Sequence, residues 1–252
     1  MALPVEKKKR VLSPAEMCVL LYGRPKVGKS SLAACFGDSV LFLNLEKGLH
    51  GLEVFQVEIK TWEDFMQAVR DLCAGGHSFN QVVIDTVDLC RDLALAHVER
   101  TENISADRPS QSVRAYGKAN KLVIEALKAL ALCPGLGILM ISHEKTQLID
   151  EQGNILGAFD KAPGKVREKV FPNISGRPRE YVLGAADLIL RYTIDPRTGR
   201  RVIQTKATAN VEAGERFGIL PATIDAGGSA KEAHAALLAP FREEWKKENP
   251  ED

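Results

Sequence analysis

Gly23-Arg24-Pro25-Lys26-Val27-Gly28-Lys29-Ser30 follows the G-x-x-x-x-G-K-[ST] pattern of a phosphate-binding loop, and it stands between an apolar run, Met17 to Tyr22, and a helix-compatible segment, Ser31-Leu32-Ala33-Ala34-Cys35. The spacing has a mechanism. A buried strand that turns directly into a helix leaves the first helical amides, through Ser31, without partners, and these donors face any polyphosphate at the helix N-terminus. Gly23 and Gly28 are read as positions whose backbone angles a side chain would block, so that successive N–H groups converge on one phosphate. Lys29 is then placed for the β- and γ-phosphates, and the Ser30 hydroxyl for a magnesium ion. The loop predicts a nucleotide ligand.

Composition limits the rest. The 252 residues are 45% hydrophobic and 27% charged, values that fit a globular α/β chain with a substantial core rather than disorder. The five cysteines (18, 35, 73, 90 and 133) are odd in number and never spaced C-x-x-C. That pattern argues against a disulfide framework and against a zinc site, and a reducing cytoplasm is the expected compartment. Lys7-Lys8-Lys9-Arg10 is followed by no apolar stretch of signal-peptide length, and no run approaches a membrane span, so no membrane partner is expected. A net charge of +1 provides no global field for nucleic acid. Local clustering does exist: between residues 161 and 179 stand Lys161, Lys165, Arg167, Lys169, Arg177 and Arg179 against the single acid Glu168. The plainer reading of that stretch is a solvated loop.

Outward from the loop, strands alternate with helices. Val40 to Leu45 is a continuous apolar run ended by Glu46-Lys47-Gly48, and Val54 to Ile59 reads as a further short strand. Trp62 to Cys73 has helical spacing with Thr61 as N-cap and Gly75-Gly76 as terminator. Gln81-Val82-Val83-Ile84-Asp85 is a third strand, followed by a helix to about residue 100 and a polar loop to Ser112. Val113 to Leu132 reads as a helix, and Leu136 to His143 as a fourth buried strand. This order predicts a mostly parallel central sheet flanked by helices on both faces. From Glu144 to Arg179 the texture changes to a long Gly/Pro/Lys-rich stretch. Ala186 to Thr193 and Arg201 to Ala209 flank Asp195-Pro196-Arg197-Thr198-Gly199 as a C-terminal hairpin, and Ala230 to Lys247 closes the chain as an amphipathic helix. The expected division is a flexible basic segment over 1–14, one domain over 15–228, and a helix with a charged tail over 229–252.

In such sheets ligands bind at the carboxyl ends of strands. Asp85, after three apolar residues, has the pattern of an acid that holds magnesium with Ser30; its structural alternative is a cap for the next helix. Glu46 and His143 end the neighbouring runs.

The set formed by the phosphate loop, Leu45-Glu46-Lys47-Gly48-Leu49, Val83-Ile84-Asp85-Thr86, Ile141-Ser142-His143-Glu144-Lys145 and Ala185 to Arg191 resembles bacteriophage-type RecA-like ATPases over residues 15 to 220. Members implicated in single-strand annealing and recombination belong to that group. The resemblance implies a RecA-like P-loop NTPase core, ATP with Mg2+, and work on single-stranded DNA. It also implies a homo-oligomer, while single-strand-binding or replication proteins are expected as partners of the charged C-terminal helix if the chain is a nucleotide-gated module. The compartment would be the bacterial host cytoplasm if the chain is phage-encoded. It places a water-activating base at Glu46, a γ-phosphate sensor at His143, and Lys206 as a cation reaching a neighbouring subunit's nucleotide, with Arg191 and Arg216 as weaker candidates. Plainer readings are an exposed Glu-Lys pair at a strand end, a solvated histidine and surface cations. No extra N-terminal oligomerisation domain or C-terminal DNA-binding domain is expected.

Arg108 and Arg114 in the first loop and the basic residues from Lys161 to Arg179 in the second are the DNA-binding candidates. Tyr116, Phe159, Phe171 and Tyr181 are the only aromatics nearby, which predicts backbone contact without sequence readout. A GTPase is disfavoured because N-K-x-D is missing: Asn120-Lys121 continues as Leu122-Val123. A small-molecule kinase using the basic stretch as a lid, and a nucleotide-gated partner-binding module with little hydrolysis, are the rival readings.

Overall fold

The computed structural model describes residues 13–157 and 164–249. The elements are β1 (Cys18–Gly23), α1 (Lys29–Ala33), β2 (Val40–Asn44), β3 (Phe55–Glu58), α2 (Trp62–Ala74), β4 (Gln81–Asp85), α3 (Cys90–Glu102) and α4 (Pro109–Ala131). They continue as β5 (Gly137–Ile149), β6 (Arg167–Pro172), α5 (Arg177–Ala185), β7 (Leu188–Ile194), β8 (Arg201–Gln204), β9 (Gly214–Glu215), β10 (Thr223–Asp225) and α6 (Ala230–Glu248). The sheet order is β10-β8-β7-β1-β5-β4-β2-β3, with β6 on β5 and β9 on β7. From β7 through β3 every neighbouring pair on that path is parallel. The expected α/β architecture is therefore present.

The continuous apolar runs are explained by burial on both faces. Val19 and Leu21 of β1 point into one cluster with Leu32, Leu237 and Phe241 from α1 and α6, while Leu20 points into the other with Phe65, Val123 and Val182 from α2, α4 and α5. Period-two alternation thus feeds two cores rather than one core and solvent. Thr61 caps α2 as expected, and it does so reciprocally: its hydroxyl accepts from the Asp64 amide at 3.1 Å and the Asp64 carboxylate accepts from the Thr61 amide at 2.9 Å.

Four expectations are corrected. The stretch from Glu144 to Arg179 is not a long loop: β5 runs on to Ile149 and pairs antiparallel with β6 from Glu144↔Pro172 to Ile149↔Arg167, and α5 follows from Arg177. Its polar composition hid a hairpin with little to bury at its far end. The polar loop ending at Ser112 is shorter, because Pro109, pre-set for helix at the first position, starts α4 there, and Arg114 lies on a helix. β8 ends at Gln204 rather than Ala209. Cys73 and Cys133 are joined as a disulfide, with Cα atoms 5.2 Å apart although 60 residues separate them in sequence. Only the packing of the end of α2 beside the end of α4 brings these sulfurs together. Among the described residues no helix is long and apolar enough to cross a membrane.

Gly23 is required for a different reason from the one its motif gives. It does not have positive φ, unlike Gly28 at φ 102°; instead a Cβ built on it would lie 2.0 Å from the Tyr192 carbonyl oxygen of β7. A backbone oxygen cannot swing aside as a side chain can. Gly23→Ala should lower the unfolding free energy by about 1–3 kcal/mol, the usual cost of overpacking. A urea melt with an unchanged midpoint would contradict this close approach.

Candidate functional site

Parallel register brings the ends of four strands to one level. Gly23 of β1 lies beside His143 of β5, Asp85 of β4 lies beside Ile141, and Asn44 of β2 lies beside Asp85. The sheet edge therefore carries, side by side, the phosphate loop, His143, Asp85 and, two residues beyond Asn44, Glu46. Arg24, Pro25, Lys26 and Val27 form the loop itself, Lys26 holding φ 65°, and Gly28 is the N-cap of α1, accepting from the Leu32 N–H at 2.9 Å through its carbonyl. The amides of Lys29, Ser30 and Ser31 come before that bond and have no carbonyl of their own helix to donate to.

The side chains at this edge touch one another. The Ser30 hydroxyl donates to Asp85 Oδ2 at 2.6 Å. Lys29, 6% exposed, donates from Nζ to the Gly23 and Arg24 carbonyls at 3.0 Å each and approaches His143 Nδ1 at 3.4 Å. On its other side His143 Nε2 lies 2.9 Å from Glu46 Oε1, and the Thr86 hydroxyl donates to that same oxygen at 2.9 Å. Lys29, His143 and Glu46 thus form a continuous chain. Behind it, Asp88 accepts from the Ser142 hydroxyl at 2.5 Å and from the His143 amide at 2.7 Å, which pins the end of β5.

Burial dominates the electrostatics. It lowers the Lys29 pKa from the ordinary lysine value against the smaller opposing pull of Asp85, Glu46, Asp88 and Glu144. It raises Asp85, although the Ser30 hydrogen bond favours the charged form, and it raises Asp88 to about 6. A buried carboxylate whose charge is disfavoured, facing a hydroxyl oxygen 2.6 Å away, is a hard-oxygen donor pair suited to magnesium. The residues fit that ion.

Beside the loop opens a crevice of about 830 Å³, walled by Arg24, Lys26 and Val27 on one side and by Arg191, Pro196 and Arg197 of the β7–β8 hairpin on the other. Two of these lining arginines share Glu144, whose side chain is 8% exposed: Arg24 at 3.0 Å and Arg191 at 2.9 Å. A family model described as an AAA domain, AAA_24, matches residues 15–217. The chain belongs to this AAA-domain family. The solved structure of the RadB recombinase is similar at 15% identity and a TM-score of 0.46, covering 86% of this chain and 90% of that one. No curated protein matches in sequence.

The AAA domain treats its remaining candidate residues unequally. Lys206 lies beyond the end of β8, which runs antiparallel to β7 and so away from the phosphate edge, and it pairs with the buried Glu215 carboxylate. It makes no contact with the loop of its own chain. Of the basic set, Arg114 is paired to Glu102, which also holds Lys118 one turn further along α4, so the first patch is partly neutralised. Lys169 and Arg179 share Glu212 at 3.0 and 3.7 Å and flank the Phe171 ring. Arg108, Lys165, Arg167 and Arg177 are exposed, and among the described residues they form no ion pair closer than 4.0 Å. Lys161 and Phe159 lie outside the described residues, as do residues 1–12.

Sequence reasoning missed Asp88, Glu144 and Arg201. Asp88 had one faint signal, an acid three residues after Asp85 at the start of a helix. The other two had none, because their partners are 27 to 174 residues away in sequence. Asp88 also has a measurable consequence. Its folded pKa of about 6 exceeds the ordinary 3.8, so the folded AAA domain binds the extra proton between these values. The stability it contributes is full below about pH 4 and lost as pH rises through about 6. Asp88→Asn should shrink the difference between urea midpoints taken at about pH 4.5 and about pH 6.5; an equal difference in both proteins would refute the assignment.

Proposed function

We propose that this AAA domain hydrolyses ATP and couples the reaction to single-stranded DNA, as a RecA-like protein of phage-type recombination, annealing or replication. The observation that carries the reading is the unbroken chain from Lys29 through His143 to Glu46 beside the Ser30–Asp85 pair. Lys29 holds two carbonyls of its own loop, contacts it can exchange for phosphate oxygens without moving the backbone. Ser30 and Asp85 would hold magnesium, which supplies charge neutralisation on the phosphates when bound. Glu46 has a second carboxylate oxygen beyond the one shared by Thr86 and His143, and that oxygen is the one assigned to orient water and take its proton.

His143 supplies the coupling. It touches both Lys29 and Glu46, and its strand continues without interruption into the β5–β6 hairpin, where Lys165 and Arg167 are exposed. A shift of Lys29 onto phosphate removes one neighbour of the histidine ring and biases that hairpin. Homo-oligomerisation would enter through Lys206, which lies away from its own loop, pairs with Glu215, and is assigned here to a neighbouring subunit's nucleotide. The half-exposed Trp245 on α6 offers single-strand-binding or replication proteins a surface.

ATP turnover should rise when single-stranded DNA is added. Lys29→Ala should abolish tight ATP binding, Glu46→Gln should retain binding and lose turnover by at least about a hundredfold, and Lys206→Ala should slow only the assembled protein. DNA-independent turnover with transfer of phosphate to a small molecule would establish the kinase alternative instead. If Arg108, Lys165, Arg167 and Arg177 each meet one phosphate, log affinity for single strands should fall against log salt with a slope of about −2.8. A salt-insensitive affinity would remove these residues from the interface.

A further inference from the structure

Arg201 opens β8, and its half-buried guanidinium spans two backbone carbonyls: Nε donates to Val27 C=O at 3.0 Å and Nη1 to Gly228 C=O at 2.7 Å. We infer that Arg201 is a positioning residue for nucleotide binding, acting through the Val27–Gly28 peptide; the inference rests on the ATP reading of the loop.

The argument is stereochemical. The Val27 carbonyl and the Gly28 N–H belong to one peptide unit, and that unit is trans, since the only cis bond among the described residues is Asp85–Thr86. In a trans peptide the oxygen and the hydrogen point in opposite directions. A guanidinium that fixes the carbonyl on the β8 side therefore aims the Gly28 N–H the other way, toward the hollow of the loop where phosphate-binding amides converge. Gly28 makes such a restraint necessary. With φ 102° and no Cβ it is the residue least able to hold its own peptide plane, and the neighbouring Lys26 is also left-handed at φ 65°. Beneath it the Tyr192 ring is fully buried, its Cε1 3.8 Å from the place a Gly28 Cβ would occupy, and its hydroxyl has no hydrogen-bond partner among the described residues, so the floor under the loop does not hold the carbonyl in place of Arg201.

The second anchor is built as firmly as the first. Gly228 precedes Ser229, the N-cap of α6, where Ser229 and Glu232 form a capping box and the Gly228 amide donates to Glu232 at 2.6 Å. The Ala226 amide donates to the Arg201 carbonyl at 2.9 Å, which holds the arginine's own backbone against the same segment. A side chain braced in this way transmits a fixed position to Val27 rather than following it.

The test measures binding of a non-hydrolysable ATP analogue and steady-state ATP turnover in the parent, Arg201→Ala, Arg201→Lys and Lys29→Ala, each well below its melting temperature. Arg201→Ala should weaken analogue affinity and raise KM by about tenfold, the equivalent of one donor misaimed, with a smaller change in kcat. Arg201→Lys keeps a charged donor within reach of the Val27 carbonyl and should recover most of that affinity, which a general packing defect would not permit. Parent-like affinity in folded Arg201→Ala, or a fall in kcat at constant KM, overturns the inference while the parent's own binding keeps the ATP reading intact. A folded parent with no affinity for the analogue overturns the ATP reading itself.

Discussion

Everything at the candidate site depends on the register of the parallel strands β1, β5, β4 and β2. Their interiors are apolar because both faces are covered, so the first residues able to carry charge are those at the strand ends, and register decides which of these become neighbours. Gly23 beside His143 and Asn44 beside Asp85 are consequences of backbone hydrogen bonding, not of any attraction among the functional groups. A slip of one residue in β5 would turn His143 to the opposite face and replace the Lys29–His143–Glu46 chain with a gap.

Those neighbours form a closed set of mutual contacts. Lys29 rests on loop carbonyls, Ser30 on Asp85, His143 on Glu46, and Glu144 between two arginines. Each is a strong, partly buried polar interaction that satisfies a group which would otherwise be costly to desolvate. Nearly all of them are also groups that a polyphosphate with its ion would address. The raised acids and lowered lysine are the mark of burial, which outweighs the hydrogen bonds that favour the charged acids.

The core of the fold and the centre of the site were legible because they are local in sequence. The phosphate loop is eight consecutive residues, and the apolar runs ending in Glu46, Asp85 and His143 mark strand ends wherever the strands lie in the sheet. The hairpin from Glu144 onward was not legible, since Lys145 to Leu148 alternate without an apolar face large enough to announce a strand, and β6 exists only as its partner. The Cys73–Cys133 disulfide was hidden in the same way, because pairing requires proximity and the spacing of isolated cysteines encodes none. Lys169 and Arg179 read as free cations until Glu212, from a distant turn, was placed between them.

From its own order of residues the chain determined an alternating α/β sheet, a phosphate-loop motif between its first strand and helix, and the acids that end its strands, because short-range periodicity and a fixed eight-residue pattern need no information from elsewhere. The tertiary structure alone decided which groups face each other across that turn. Asp88 behind His143, Glu144 between Arg24 and Arg191, and Arg201 on the Val27 carbonyl are meetings of segments far apart along the backbone, and only the packed sheet brings them within hydrogen-bonding distance.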